Sequence, residues 1–423
     1  MNRTLGLWGV VATLVGYVIG ASIFILPGEL AGTAGPGVVI SYLLAAVIAA
    51  FSCLVAGQIG AVFPSAGAGY VAVSRLLSPF AGFIGIWLML AAYIMAIVLI
   101  ALGFADYFTA VFPVFSRSAV AYGVVAFFIL ANLGNLTFLM RIQGFLVLCF
   151  MAALVAVSGG GLAAIEPANI TPFIPSGWGP VLYAAVPAFF SYGGFMAVME
   201  MAGEIKKPGK TIPAGLIISF ILVVVTYVAL SLALVGMIPW QELASVKAPV
   251  KIVAEQLFGR VGGVFTSFAI MGAAATSINA LVLVASRDIF ALAQDGLLPR
   301  RVAPQGETSL ARSVLVVGVF SLLAISLGNS ISEYAVWVSS FTLLFQILVG
   351  AALLYVPKKA AEAYGASGFK LGMGGIQFSG WGLMLISAFF LLVVVVGSPA
   401  HAAWSVVYIL VGAMLYKLRN KGA

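Results

Sequence analysis

Apolar residues run along this chain in blocks of about twenty, separated by short polar loops, and they do not alternate with polar ones. A helix needs roughly 20 apolar residues to cross the hydrocarbon of a bilayer, whereas a barrel strand needs about 10 in alternation. The pattern predicts twelve helical spans, at about 5–27, 36–62, 79–106, 118–134, 139–160, 178–202, 212–238, 261–294, 312–328, 332–356, 378–397 and 401–417. The fold class is an all-α membrane protein. Between the spans the loops are short except near 239–260, which holds Trp240, Glu242 and Glu255. The stretch 357–377, rich in Lys, Gly and Ala, reads as a mobile link to the last two spans.

Two spans are interrupted by small residues. In Val15-Gly16-Tyr17-Val18-Ile19-Gly20-Ala21-Ser22-Ile23-Phe24, the group Gly20-Ala21-Ser22 falls near the middle of span one, and Pro27-Gly28 closes it. Glycine weakens a helix interior by about 1 kcal/mol relative to alanine. On its own the motif admits close helix packing or a break. Span six repeats it, with Gly193-Gly194 beside Ser191 and aromatics on both sides. If ten spans form two repeats of five, span six opens the second half, and an odd number of spans makes the halves inverted. Glycine-interrupted spans in corresponding positions of two such halves point to a transporter site, so both are read as broken helices.

Breaks of this kind have a chemistry. A half-helix beginning near Ser22 and Ile23 offers unpaired N–H groups and a dipole that favours a carboxylate. Freed carbonyls in span six suit an ammonium, and the two charges together describe an α-amino acid. The substrate-binding candidates are Ile19, Gly20, Ala21, Ser22, Ile23, Ser191, Gly193 and Gly194, with Phe190 and Tyr192 as a lid or, alternatively, as core or lipid-facing rings. Span eight contains Ala275-Thr276-Ser277-Ile278-Asn279. Its hydroxyls either bond back to their own helix or, with carbonyls of Gly16 and Ile19, ligate a monovalent cation. Asn279 is a candidate for hydrogen bonding to substrate or to neighbouring backbone.

Composition narrows the class. Of the 423 residues, 63% are hydrophobic and 8% charged, against about 25% charged in a soluble domain. No signal peptide is indicated, because the first segment is too long and lacks a small-residue cleavage site. The net charge of +8 is a topology signal rather than a nucleic-acid footprint. With the N-terminus in the cytoplasm, Arg117, Lys247, Lys251 and Arg260 face outside and the other sixteen of the 20 Lys and Arg face inside, which puts both termini in the cytoplasm. The loop Phe63-Pro64-Ser65-Ala66-Gly67-Ala68-Gly69-Tyr70 then turns along the cytoplasmic surface, or is a plain connector. Cys53 and Cys149 read as small core residues, and with one histidine, His401, no zinc, haem or iron–sulfur site is indicated. No cluster suits enzyme chemistry. Carboxylates within helices at membrane depth are functional candidates. Glu200 and Glu204 share a helix face, and a pairing of either with Arg287 would close the cytoplasmic path.

These motifs, in this order, resemble the amino acid–polyamine–organocation superfamily over essentially the whole chain. The resemblance is carried by the span-one and span-six stretches, by Pro64 to Tyr70, by Glu204-Ile205-Lys206-Lys207-Pro208 and by Leu292-Ala293-Gln294-Asp295-Gly296-Leu297-Leu298-Pro299. It implies a 5+5 inverted repeat, residues 1–165 and 166–357, with two further helices in 358–423, and alternating access. It also implies a carboxylate site at the first break, an ammonium site at the carbonyls of both, and an aromatic gate at Phe190. Two departures stand out. Counting from Arg141-Ile142-Gln143, the span-five lysine of many proton-coupled relatives is Phe150 here. That leaves the cation pocket empty, held by sodium through Thr276 and Ser277, or served by a proton carrier such as Glu200 or Glu204. The acid that often follows the span-six break in members selective for cationic amino acids is Met196. The expectation is a symporter or exchanger of neutral, apolar amino acids in the plasma membrane. The alternatives are an exchanger or exporter of cationic amino acids or polyamines, and a channel or non-transporting sensor. Cofactors are none beyond sodium or proton coupling, and the oligomeric state is open.

Overall fold

The computed structural model describes residues 5–64, 67–133, 137–294, 296–298 and 308–420. Span one is two helices, α1 (Leu7–Val18) and α2 (Ser22–Ala34). Pro27 does not end it, contrary to the reading of the sequence. Its ring crowds the carbonyl of Ile23, which lies in the first turn beside the break, where the backbone has room to adjust. The helix stops instead at Gly35, with φ at +62°, and a 3₁₀ turn over Gly35–Gly37 leads into α3 (Val38–Val62).

A short helix, α4 (Ala68–Leu76), precedes α5 (Pro79–Val111), whose first turn is capped by Ser78 Oγ accepting from the Ala81 N–H at 3.1 Å. Then come α6 (Arg117–Leu133) and α7 (Thr137–Ala163). The sixth segment begins as α8 (Trp178–Phe189), tightens into a 3₁₀ run over Phe190–Ala197, and ends in α9 (Val198–Met201) and a further 3₁₀ turn. The interruption read from Gly193-Gly194 is therefore a narrowing rather than an unwinding. At membrane depth this keeps most carbonyls paired, three residues along the chain instead of four.

The second half continues with α10 (Pro208–Met237), α11 (Trp240–Leu243) and α12 (Pro249–Gln294). α11 and the part of α12 before Gly259 occupy what the sequence suggested was a long loop, and at Gly259, where φ is +71°, the backbone leaves the helical region in a kink. α13 (Thr308–Ile325) and α14 (Ile331–Lys359) follow, the latter with a capping box between Ser330 and Glu333. α15 (Ala361–Ala366), α16 (Met373–Gly397) and α17 (Pro399–Asn420) complete the chain. Among the described residues nine helical stretches are long and apolar enough to cross a membrane, and three shorter apolar helices stand with them. This is an all-α membrane protein.

α5 and α14 lie in the middle of the bundle and α17 at its edge. Trp87 and Tyr408 dock α17. The Trp87 indole N–H donates to the Tyr408 carbonyl at 3.0 Å, the Tyr408 hydroxyl donates to the Trp87 carbonyl at 2.9 Å, and the rings stack at 4.9 Å. Gly412 makes room, since a Cβ there would lie 2.5 Å from the indole.

Chain ends and lysine-rich loops meet on one side of the bundle, here the near side. The Leu5 N–H donates to the Glu204 carbonyl at 3.0 Å and the Lys206 N–H to the Leu5 carbonyl at 2.8 Å. Lys359 Nζ donates to the Leu76 carbonyl at 2.7 Å, capping the C-terminus of α4 with a positive charge. The stretch 357–377 is not a mobile link. The wholly buried Gln58 donates to the Phe369 carbonyl at 3.2 Å and accepts from the Leu371 N–H at 2.6 Å, and the Tyr364 hydroxyl donates to the Leu371 carbonyl. On the far side Arg117 holds the buried Asp106 by two hydrogen bonds of 2.6 and 2.8 Å. Glu29 of α2 accepts from the N–H and hydroxyl of Ser332, at 3.1 and 2.7 Å.

Candidate substrate site

The gap between α1 and α2 is set by three residues. Ile19 leaves the helical region with ψ at 78°, Gly20 closes a tight turn onto the Val18 carbonyl at 2.8 Å, and Ala21 caps the helix that Ser22 begins. Ser22 and Ile23 thus head a half-helix with N–H groups that no carbonyl of that helix can reach. Around the gap Ile19, Ala21, Ser22 and Ile23 are buried, while Gly20 keeps some access.

The 3₁₀ run forms the facing wall, and Gly194 brings it there. A Cβ on Gly194 would lie 2.4 Å from the Tyr17 carbonyl oxygen and 2.7 Å from Val18 Cα, so backbone meets backbone and only glycine fits. Gly193, one residue earlier, has nothing within 4 Å of a Cβ position, and neither has Gly16. The space beside the break opens on their side. α12 closes the third side, with Ser277 Oγ 3.1 Å from a Cβ built on Gly20.

α10 ties the two interrupted segments together. The Tyr227 hydroxyl stands 2.8 Å from the Val18 carbonyl and 2.8 Å from the Ser191 carbonyl. A hydroxyl has one proton, so it donates to one of the two at a time. The Tyr227 ring packs edge-on against Tyr192 at 5.0 Å and Tyr42 at 6.0 Å. The buried hydroxyls of Tyr42 and Ser191 lie against one another. On the other side of the gap, Phe24 meets Phe150 edge-to-face at 6.4 Å, and the Tyr107 hydroxyl donates to the Phe24 carbonyl at 2.8 Å.

The structure brings some of the sequence candidates together and separates others. Phe190, half-buried, starts the 3₁₀ run next to the gap. Tyr192 is packed in the core, 1% exposed, and its hydroxyl donates to the Tyr42 carbonyl at 3.1 Å. Thr276 and Ser277 both donate to the Ala273 carbonyl at 2.9 Å. They bond back to their own helix, and their oxygens keep lone pairs for a further partner. Asn279 lies two residues beyond Ser277, on the far side of α12 from it though on the face of Thr276, and accepts from Asn132 of α6 at 2.9 Å. Glu204 and Arg287 are both exposed and form no ion pair, because Glu204 sits in the turn that pairs with Leu5. The Glu200 side chain lies outside the described residues. Tyr227, Tyr42 and Tyr107 were missed by sequence reasoning. The only available signal was a polar-tipped ring inside an apolar run.

N–H donors at one edge of the gap and the Val18 and Ser191 carbonyls at the other make a place for one positive and one negative group. Among the described residues, those that the gap brings together include no cysteine, histidine or carboxylate. Residues 5–416 match the family described as Amino acid permease. Over 354 residues, 75% of this chain and 76% of the relative, the sequence is 32% identical to the Branched-chain amino acid permease BcaP of Lactococcus lactis subsp. cremoris. It is 29% identical over 390 residues to the Branched-chain amino acid permease BcaP of Bacillus subtilis, covering 86% of this chain and 82% of that one. It is likewise 29% identical over 392 residues to the Methylthioribose transporter of Bacillus subtilis, covering 86% and 83%.

Proposed function

The chain belongs to the amino acid permease family, and we propose that it carries neutral, apolar amino acids across the plasma membrane as a secondary active transporter working by alternating access. It is a transporter and not an enzyme. The observation that carries the substrate reading is the interruption at Ile19–Ala21, where a half-helix begins against the Gly194 wall. The substrate carboxylate sits on the Ser22 and Ile23 N–H groups, where the dipole favours it. Its ammonium takes the Val18 and Ser191 carbonyls, displacing or sharing the Tyr227 hydroxyl. The side chain extends into the open space beside Gly193, with Phe190 as the gate. Ile19, Ile23, Phe24 and Phe150 make the surroundings apolar, and among the described side chains there no carboxylate stands ready for a cationic substrate. The two branched-chain permeases support the same choice.

Twelve spans in a 5+5 inverted repeat, 1–165 and 166–357, followed by two helices in 358–423, accommodate the helices observed. The near side, with most of the lysines, is cytoplasmic. Coupling runs through a sodium ion on Thr276, Ser277 and the carbonyls of Gly16 and Ile19, or through a proton. Uptake of labelled leucine, isoleucine and valine into proteoliposomes tests all of this. Accumulation under a sodium gradient, lost in Thr276→Ala and Ser277→Ala, supports the cation site. Accumulation under a proton gradient alone removes it. Transport of methylthioribose with no uptake of any amino acid would sink the substrate assignment.

A further inference from the structure

The near side carries lysines that no carboxylate answers. Lys206 and Lys207 lie in the loop leading into α10, Lys210 in the first turn of α10 and Lys370 in the link leading into α16, and all four are exposed. The two loops touch. A Cβ on Gly209 would lie 2.3 Å from the Gly368 carbonyl oxygen, and one on Gly368 would lie 2.2 Å from the Pro208 ring. Gln58 holds the second loop from beneath. The lysines therefore share one patch, where the acids on these loops, Glu204 and Glu362, are exposed and form no ion pair with them. The ion pairs Arg117–Asp106 and Lys251–Glu255 both lie elsewhere. Lys207 stands at φ +47°, the one non-glycine residue in the left-handed region among the described residues. A lysine in so unfavourable a conformation, at the centre of uncompensated charge, points to a function for the charge.

An apolar groove runs from this patch into the membrane. α3 is its floor. A Cβ on Gly57 would meet Leu216 of α10 at 3.1 Å and Phe369 of the link at 3.4 Å, and Phe51 meets Phe378 of α16 at 5.3 Å. Its rims are the exposed Ile217 and Ile221 of α10 and Phe378 and Trp381 of α16, each more than half exposed. We propose that the patch holds the headgroup of an anionic phospholipid whose acyl chains lie in this groove. A soluble anion would use the lysines and leave the groove unexplained. A neutral lipid would use the groove and leave the charge unanswered. The site rests on the chain being membrane-embedded and not on what it carries.

Binding is therefore read without transport. The full chain is placed in phosphatidylcholine nanodiscs containing a trace of spin-labelled phosphatidylglycerol or phosphatidylcholine, and the motionally restricted fraction gives their relative association. Each lysine near an anionic surface is worth about fivefold in association at full strength, less when screened. The wild type is expected to prefer phosphatidylglycerol by about tenfold. Lys207→Gln, Lys210→Gln and Lys370→Gln together should remove most of that preference. Arginine at the same three positions should retain it, and Lys247→Gln with Arg260→Gln on the far side should leave it unchanged. An unchanged thermal unfolding midpoint in the glutamine variant separates lost binding from lost folding. No preference in the wild type, or a preference that survives the glutamine substitutions, overturns the proposal. So does its abolition by millimolar glycerol phosphate, which would make the patch a soluble-anion site.

Discussion

Gly193 and Gly194 are neighbours in sequence with opposite surroundings. Alanine at 194 must push against the Tyr17 carbonyl and should destabilise the protein by about 1–3 kcal/mol, the usual scale of overpacking. Alanine at 193 meets open space and should leave the unfolding midpoint nearly unchanged while raising the apparent KM for leucine, because the methyl enters the proposed substrate chamber. Unfolding midpoints and uptake kinetics on the two variants separate these effects. Tyr227→Phe keeps the ring contacts with Tyr42 and Tyr192 and deletes the hydroxyl between the Val18 and Ser191 carbonyls. A lost buried hydrogen bond of this kind costs about 1–3 kcal/mol, and the lowered midpoint should come with altered uptake. The sequence marked both glycines, because small residues stand out in an apolar run. It did not separate them, since which glycine touches backbone depends on the rotation of a 3₁₀ helix. Tyr227 was hidden for a different reason: its partners are main-chain carbonyls, which any residue supplies.

At the level of elements, α1 is fastened at both ends to the second part of the sixth segment. Gly194 abuts Tyr17 and Val18 at one end and Leu5 pairs with Ile205 at the other. The helical parts run in opposite directions, and the Leu5–Ile205 bridge itself is a parallel pairing. Leu5→Cys with Ile205→Cys, in a background lacking Cys53 and Cys149, should oxidise readily, and the disulfide should leave uptake intact because α1 and the 198–206 stretch travel together. Loss of uptake that reductant restores would show instead that they part. The sequence predicted an interruption in each span; span one is two separate helices, as read, whereas span six narrows to a 3₁₀ run. A run of small residues does not say whether carbonyls are freed or handed to the next turn. It also misread 357–377, whose Lys, Gly and Ala suit a loose strand. The anchors are a glutamine in a distant helix and two backbone groups. Gln58→Leu should release them, and hydrogen exchange at Leu371 should rise while α3 stays protected.

Across the whole molecule, hydrophobic run length located the helices well. An end shifted where a proline fell early in a helix, as at Pro27, and before the eighth span a further helical stretch joins it across the kink at Gly259. Charge distribution makes a prediction on the same scale. In right-side-out vesicles a membrane-impermeant maleimide should label Lys247→Cys and spare Lys207→Cys until the membrane is opened, and the reverse pattern would invert the orientation. Gln58 adds a consequence in time. Its helix is made early, yet Phe369 and Leu371, which satisfy its amide, lie 311 and 313 residues further along. Until the ribosome has delivered that link, a glutamine wholly enclosed in the finished protein has neither of its final partners. The near side of the bundle is thus sealed last, and a chain halted before Phe369 carries an unfilled polar socket in its second span, a ready mark by which an incomplete copy differs from a finished one.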